Sequence, residues 1–340
     1  MPTTTRVWTL ASRPEGEPTP ENFEMVDREV RDPSGGEVLL RTLYLSVDPY
    51  MRGRMRKPHP YAEPWDLGDP AKADLAGEVV ASAHDDYEAG DVVTARADWA
   101  EYNVVDGDDL TPVAPDLPVS ASLSVVGMPA RTAYFGMLDV ADPDPGDTVV
   151  VSGAAGAVGT VAGQLARLAG ARVVGTAGSP EKIEYITEEL GYDAGINYRE
   201  TDDYDAAIED ACPDGVDVYF DNVGGELTDA VWRHLNDFGV VAVCGQIAHY
   251  NMAETPTGPR YTDGLFANRA RIEGLLVRDW AHRFDEANER LAALVASGEI
   301  RYRESVVEGF ENAPDAFVGL FAGENVGKQL VKVADRADPV

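Results

Sequence analysis

The hydrophobic pattern of the chain is densest at Thr148-Val-Val-Val151, a continuous apolar run followed by glycines at 153, 156 and 159 and then by the helix-forming stretch Thr160 to Leu168. An uninterrupted apolar run suits a strand covered on both faces, as in a parallel sheet, and glycines let the backbone turn sharply beside a ligand. At the start of the following helix, unpaired N–H groups and the positive end of the helix dipole favour a phosphate. The spacing Gly153-x-x-Gly156-x-x-Gly159 differs from a strict G-x-G-x-x-G, so by itself it is only moderately specific and leaves an ordinary strand-to-helix turn as the lesser alternative. A second apolar strand, Ala171 to Thr176, follows after one helix length and completes a βαβ unit. Further strands are expected at Gly195–Tyr198, Gly215–Asp221, Gly239–Cys244 and Arg271–Val277, giving six in all. Ligands of such sheets sit beyond the carboxyl ends of the strands, which points to Asn222, Gly245, Gln246, Tyr250 and the stretch Leu275 to Val277.

The first part of the chain has a different rhythm. Short β segments at 36–45, 73–80, 89–94 and 99–105 are separated by turn residues, and Ser46 to Gly53 breaks into a loop or short helix. The pattern becomes helical at Val126 to Gly136, and a later helix near Arg283 to Ala296 closes on Gly298. The expected organisation is therefore an α/β chain of two domains. Residues 124–296 form the nucleotide-binding domain, and residues 1–123 together with 297–340 form a mostly β substrate domain, onto which the tail from Val306 to Val333 packs back.

The end of the second strand selects the nucleotide. An NAD site places an acidic residue there to hold the ribose 2′-hydroxyl. This chain has Ala177-Gly178-Ser179 instead, with Lys182 one turn further on. Small residues, a hydroxyl and an ammonium leave room for a 2′-phosphate and pair with it, so NADP(H) is expected in preference to NAD(H).

Composition narrows the setting. Of 340 residues, 44% are hydrophobic, which is globular, and no apolar run approaches a membrane span. No secretory leader is read at the start, so a cytoplasmic protein is expected. Sixty Asp and Glu against 28 Lys and Arg give a net charge of −32, spread over many short clusters, and only five of the basic residues are lysines. Such a surface is an unfit partner for nucleic acid or anionic membranes. It suits high intracellular salt, where screening over about 3 Å at 1 M removes the self-repulsion. The two cysteines, Cys212 and Cys244, are too few for a four-cysteine zinc site and give no sign of an oxidising compartment.

Six stretches together carry a resemblance: Leu45-Ser-Val-Asp-Pro-Tyr-Met-Arg52, Gly127-Met-Pro-x-x-Thr-Ala-Tyr-Phe-Gly136, Gly153-Ala-Ala-Gly-Ala-Val-Gly159, Asp221-Asn-Val-Gly-Gly225, Cys244-Gly-Gln-Ile-Ala-His-Tyr-Asn251 and Asn325-Val-Gly-Lys-Gln-Leu-Val-Lys-Val333. From about residue 40 to about 335 the chain resembles the zinc-independent medium-chain dehydrogenase/reductases, in the NADPH-dependent alkenal/one oxidoreductase subgroup that includes prostaglandin and curcumin reductases. The resemblance implies a Rossmann domain with a six-stranded parallel sheet, a GroES-like barrel built from the N-terminal part and the C-terminal tail, and a homodimer. The activity it implies is reduction of a carbon–carbon double bond conjugated to a carbonyl in a small-molecule substrate.

Carried over residue by residue, the resemblance implies that Gly178, Ser179 and Lys182 hold the adenosine 2′-phosphate with Tyr198 nearby, and that Gly156, Val158 and Gly159 follow the pyrophosphate. It places Asn222, Cys244, Tyr250, Leu275, Leu276, Val277 and Asn325 around the ribose and nicotinamide. Tyr50 and Tyr250 would border the substrate carbonyl as catalytic candidates, with Met128 on the substrate side. Ala130-Arg131 and Ala248-His249 depart from the usual residues of their motifs.

In this chemistry a hydride reaches the β-carbon and negative charge appears on the carbonyl oxygen, where a preset donor lowers the barrier. A tyrosine hydroxyl, of ordinary pKa about 10, carries the required proton at neutral pH. Tyr250 is the first candidate, directly or through the nicotinamide ribose, with a purely positioning role as its rival; Tyr50 is equally a packing residue, and His249 reads as a loop histidine. A catalytic zinc would need a Cys or His set in the first domain, but no cysteine precedes position 212 and the early histidines are His59 and His84, so no metal is expected. A quinone reductase of the same architecture and a non-catalytic NADPH-binding protein stand as alternatives.

Overall fold

The computed structural model describes residues 3–57, 63–114, 116–254 and 256–336. They fall into two compact units, one formed by Met1–Leu123, Glu304–Asn325 and Gln329–Val340, the other by Ser124–Arg303 and Val326–Lys328.

The first unit is a β structure. Strands β1 (Thr4–Leu10) and β2 (Phe23–Glu29) pair antiparallel as a two-stranded sheet, a pair absent from the sequence reading. Strands β3 (Glu37–Ser46), β4 (Lys72–Ser82), β5 (Val92–Asp98), β6 (Tyr102–Asp106) and β7 (Thr111–Pro112) make up most of a seven-stranded sheet. The chain's last strand also joins it, pairing with β3 through Leu330↔Ser46, Val331↔Leu45 and Lys332↔Tyr44. The tail thus becomes an interior part of the sheet rather than a cover. The one-turn helix α1 (Met51–Arg54) follows β3 directly, within the stretch read as a loop or short helix. The core gathers Leu10, Leu40, Leu45, Met51 and Phe317 around Trp99, which is fully buried and stacked on Phe23 with ring centroids 5.4 Å apart.

The second unit is a six-stranded, wholly parallel sheet of β8 (Thr148–Val151), β9 (Arg172–Ala177), β10 (Ala194–Asn197), β11 (Val216–Asp221), β12 (Leu235–Val243) and β13 (Arg271–Gly274), in the order β10-β9-β8-β11-β12-β13. All four residues of β8 are buried, as its unbroken β-branched run requires. The strand order reverses between β8 and β11, so the crevice at their carboxyl ends is the natural ligand position. Helix α2 (Met128–Phe135) passes into a wider π-type turn over Gly136–Ala141 instead of ending at Gly136. Gly136 is required there, because a Cβ would lie 2.8 Å from both Leu275 and Phe220.

One element is shorter than its pattern suggests. β13 ends at Gly274, and Val277 opens a 3-10 helix that runs to Arg283. The apolar run Leu275-Leu276-Val277 leaves the sheet after Leu275, which is buried and whose amide still donates to Val243 O at 3.2 Å, and turns into that 3-10 helix.

Candidate functional site

The glycine turn is built from two constraints. Gly153 takes φ +60°, a left-handed conformation that side chains resist, and Gly156 caps helix α3 (Ala157–Leu168) in extended conformation. Gly159, in the first turn of α3, crosses so close to the preceding loop that a Cβ would fall 2.7 Å from Ala154 Cα. Tyr192 supports this turn from behind, its buried hydroxyl donating to Gly159 O at 2.7 Å and its ring lying against Gly163. From the C-terminal part of the chain, Gly327 N–H donates to Ala155 O at 2.7 Å, and Gly327 bridges Gly156 in parallel register. The segment next to Asn325 therefore lies on the glycine turn.

At the carboxyl ends of β8 and β11 the organising group is Asp221, fully buried. Its two oxygens accept from Ser152 Oγ (3.2 Å), Tyr219 Oη (3.0 Å), Thr228 Oγ1 (3.0 Å), Gln246 Nε2 (2.9 Å) and the amides of Val223 and Gly224 (both 2.9 Å). One carboxyl thus joins β8, β11, the start of the helix Gly225–Arg233 and the loop after β12. Burial, and next the negative charge of Asp221, push the Tyr219 phenol well above its ordinary value, and the same two causes push the Cys244 thiol up to about 12. Cys244 is therefore no thiolate at neutral pH. Asn222 is locked by both ends, its amide donating to Ser152 Oγ at 2.9 Å and its Nδ2 to Ser152 O at 2.7 Å.

Tyr250 belongs to this corner. It ends a short helix, Ile247–Tyr250, whose first amides reach back to Asn222 O and Val223 O. The Tyr250 hydroxyl accepts from the Gln246 amide at 3.4 Å and lies 3.4 Å from the position of a Cβ on Gly245. His249 faces the glycines at 224 and 225 instead, its ring 3.2 Å from a Cβ position on Gly224.

The other end of the crevice carries cations. Ser179 caps the short helix Pro180–Glu184, its Oγ accepting from the Lys182 amide at 3.3 Å. Gly178 lies against Tyr198, whose hydroxyl would be 2.5 Å from a Cβ there, with Arg199 Nε at 3.3 Å. Burial first, and then the positive charge of Arg199, lower the Lys182 pKa. Two cations beside a glycine and a hydroxyl form a cradle whose chemistry fits a phosphate. Arg199 is missing from the sequence reading. Strand pairing places it: β10 lies beside β9 with Asn197 opposite Ala177, which carries the two residues after β10 to Gly178 and Ser179.

Of the remaining candidates, Val158 is half-buried in the first turn of α3, Leu276 and Val277 are half-buried after β13, and Met128 opens α2 with its carbonyl accepting from Thr132 Oγ1 at 2.8 Å. Tyr50 lies in the first unit, just before α1, and its hydroxyl accepts from Arg96 Nη2 at 3.0 Å. Among the described residues no group of three His, Cys, Asp or Glu is arranged to hold a metal; His59 lies outside them.

Residues 6–113 match the family described as the N-terminal domain of oxidoreductase, and residues 157–293 the family described as zinc-binding dehydrogenase. The chain is 44% identical to the NADPH-dependent curcumin reductase of Escherichia coli, over 97% of each protein. It is 43% identical to prostaglandin reductase 1 of Mus musculus, over 96% of this chain and 98% of that one. Nicotiana tabacum 2-alkenal reductase (NADP(+)-dependent) is 39% identical over 94% of both. The crystal structure of CurA from Vibrio vulnificus in complex with NADPH superimposes with a TM-score of 0.92 at 40% identity, covering 97% of this chain and 99% of that one. The chain belongs to the medium-chain dehydrogenase/reductases, in their NADPH-dependent alkenal reductase branch. The first unit contains no cysteine.

Proposed function

We propose that this protein uses NADPH to reduce the carbon–carbon double bond of α,β-unsaturated ketones and aldehydes. The reading rests on one placement above others: Tyr250, in a chain of this branch, sits with its hydroxyl at the carboxyl ends of β11 and β12 beside Asn222. The second unit serves as the NADP(H)-binding domain, and residues 1–123 with the tail serve as the substrate domain.

When bound, NADPH supplies the hydride. Lys182 and Arg199, with Ser179, Gly178 and Tyr198, hold its 2′-phosphate. The first amides of α3, at Val158 and Gly159, and the turn at Gly156 take the pyrophosphate. Asn222, Cys244, Leu275, Leu276, Val277 and Asn325 border the ribose and nicotinamide. The Tyr250 hydroxyl, whose oxygen accepts from the Gln246 amide, donates toward the carbonyl oxygen, where enolate charge develops. The α-carbon takes its proton from solvent. Tyr50 and Met128 face the substrate.

The finer setting is also part of this reading. The protein works in a salt-rich cytoplasm, to which its net charge of −32 is suited. It acts as a homodimer joined along β13, an edge strand exposed at all four residues, with Ile272 39% and the nearby Phe266 86% exposed.

The test is NADPH consumption in molar salt with trans-3-nonen-2-one, repeated with NADH and with Tyr250→Phe. Turnover selective for NADPH is expected, falling on the order of 10²-fold in the variant as one oxyanion donor is lost. If no enone is turned over while NADPH still quenches the protein's fluorescence, the double-bond reading fails and quinones become the acceptor to try.

A further inference from the structure

Tyr50 is addressed by a pair that strand register creates. In the antiparallel pairing of β4 with β5, Asp74 stands directly opposite Arg96. Unlike charges in that position attract across the ladder, and Arg96 Nη1 donates to Asp74 Oδ1 at 3.1 Å. The other terminal nitrogen, Nη2, is then aimed at Tyr50, donating to its hydroxyl oxygen at 3.0 Å, with the guanidinium carbon 5.7 Å from the ring centroid. Arg54 approaches the same ring at 6.0 Å. The side chains of Arg96 and Asp74 keep 43% and 26% exposure, so the cluster is open on one side.

A phenol oxygen offers one proton and accepts through its lone pairs. With a guanidinium on the accepting side, the proton is left for another partner, and donation from a cation strengthens the O–H as a donor. Burial first and the charge of Asp74 next push the Tyr50 phenol above its ordinary value, with Arg96 acting in the opposite sense. A raised value keeps the proton on the oxygen throughout the neutral range.

We propose that Arg96, fixed by Asp74, is a positioning residue for the reduction: it occupies the accepting side of the Tyr50 hydroxyl and turns the Tyr50 proton outward as a donor to the substrate carbonyl oxygen. This rests on the reading that Tyr50 borders that carbonyl. Arg96 itself does not touch substrate.

A double-mutant cycle on Tyr50→Phe and Arg96→Met tests it, with kcat and KM for the enone measured at saturating NADPH. Loss of a preset donor predicts a fall in kcat of about 10²-fold for Tyr50→Phe, with little change in KM. Arg96→Met should lower kcat about 10-fold through the same group and have no further effect in the Tyr50→Phe background. Arg96→Lys, which retains a cationic donor, should recover most of the kcat. Thermal unfolding and NADPH fluorescence titration of each variant exclude simple misfolding. An Arg96→Met loss that persists undiminished without the Tyr50 hydroxyl, or an unchanged kcat in Arg96→Met, overturns the proposal while leaving Tyr50 in place. An unchanged kcat in Tyr50→Phe overturns the underlying reading of Tyr50, and the role of Arg96 with it.

Discussion

Lys182 and Arg199 hold like charges in a small, partly buried volume, and the depressed Lys182 pKa is the sign of that cost. A dianionic phosphate relieves it. Because a charge-assisted contact is worth about 1.5–3 kcal/mol, Lys182→Ala should raise the KM for NADPH on the order of 10–100-fold with kcat nearly unchanged, and leave the KM for NADH as it was. Steady-state kinetics with both nucleotides reads this; equal losses for the two would remove Lys182 from the 2′-phosphate. Ser179 and Lys182 were legible in the sequence because they are local, a strand end and the helical turn after it. Arg199 and the Asp74–Arg96 pair were not, because each is placed by pairing between strands, and nothing local to Arg199 or Arg96 says which residue stands opposite. Asp221 was visible as part of a motif, but its convergence of six donors from four separate segments was not.

At the scale of elements, the crevice is held open by rigid parts rather than by loops alone. The six-stranded parallel sheet was readable because continuous apolar strands alternate with helices, but its strand order was not read from the sequence. What the pattern could not show is how the loops at the strand ends are tied. Asp221 does this with side-chain and amide bonds reaching Ser152, Gly224, Thr228 and Gln246. Asp221→Asn turns one acceptor atom into a donor that faces donors. About 2–4 kcal/mol of stability should be lost through unsatisfied buried groups, read by chemical denaturation, and NADPH affinity should fall with it as Asn222 loses its anchorage through Ser152. A variant as stable as the parent with unchanged affinity would mean the loops are held by backbone contacts alone. The shortened β13 has a similar lesson: Leu275-Leu276-Val277 has a strand's composition, but the chain turns into a 3-10 helix at Val277, just after the buried Leu275 packs against Gly136. The β1–β2 pair escaped notice for a third reason, since β2, apart from its first residue, is half-buried or exposed and carries four charges in seven positions.

For the whole molecule the dominant quantity is charge. A net −32 repels itself over about 10 Å at 0.1 M salt but over about 3 Å at 1 M. Thermal unfolding should therefore move to lower temperature as salt is withdrawn, and sedimentation in molar salt should show a species of twice the chain mass. A melting temperature indifferent to salt would separate the acidic surface from any adaptation to it. The two-unit division was legible from the change in rhythm along the chain, but the interior position of the last strand was not, because antiparallel order depends on contacts between distant residues.

That last strand also sets a timetable. The half of β3 that leads into Asp48 and Tyr50 is paired with β4 on one side and gains its second partner only when Leu330 to Lys332 appear. A ribosome working at about 5–20 residues per second makes residues 47–329 in between, the nucleotide-binding unit included, a delay on the order of 15–60 s. During that time the edge at Tyr44–Ser46 is unpaired in the nascent chain, a site where holding factors or wrong partners can attach. A chain cut before Leu330 should therefore keep its parallel sheet beside a β sheet with one edge left open.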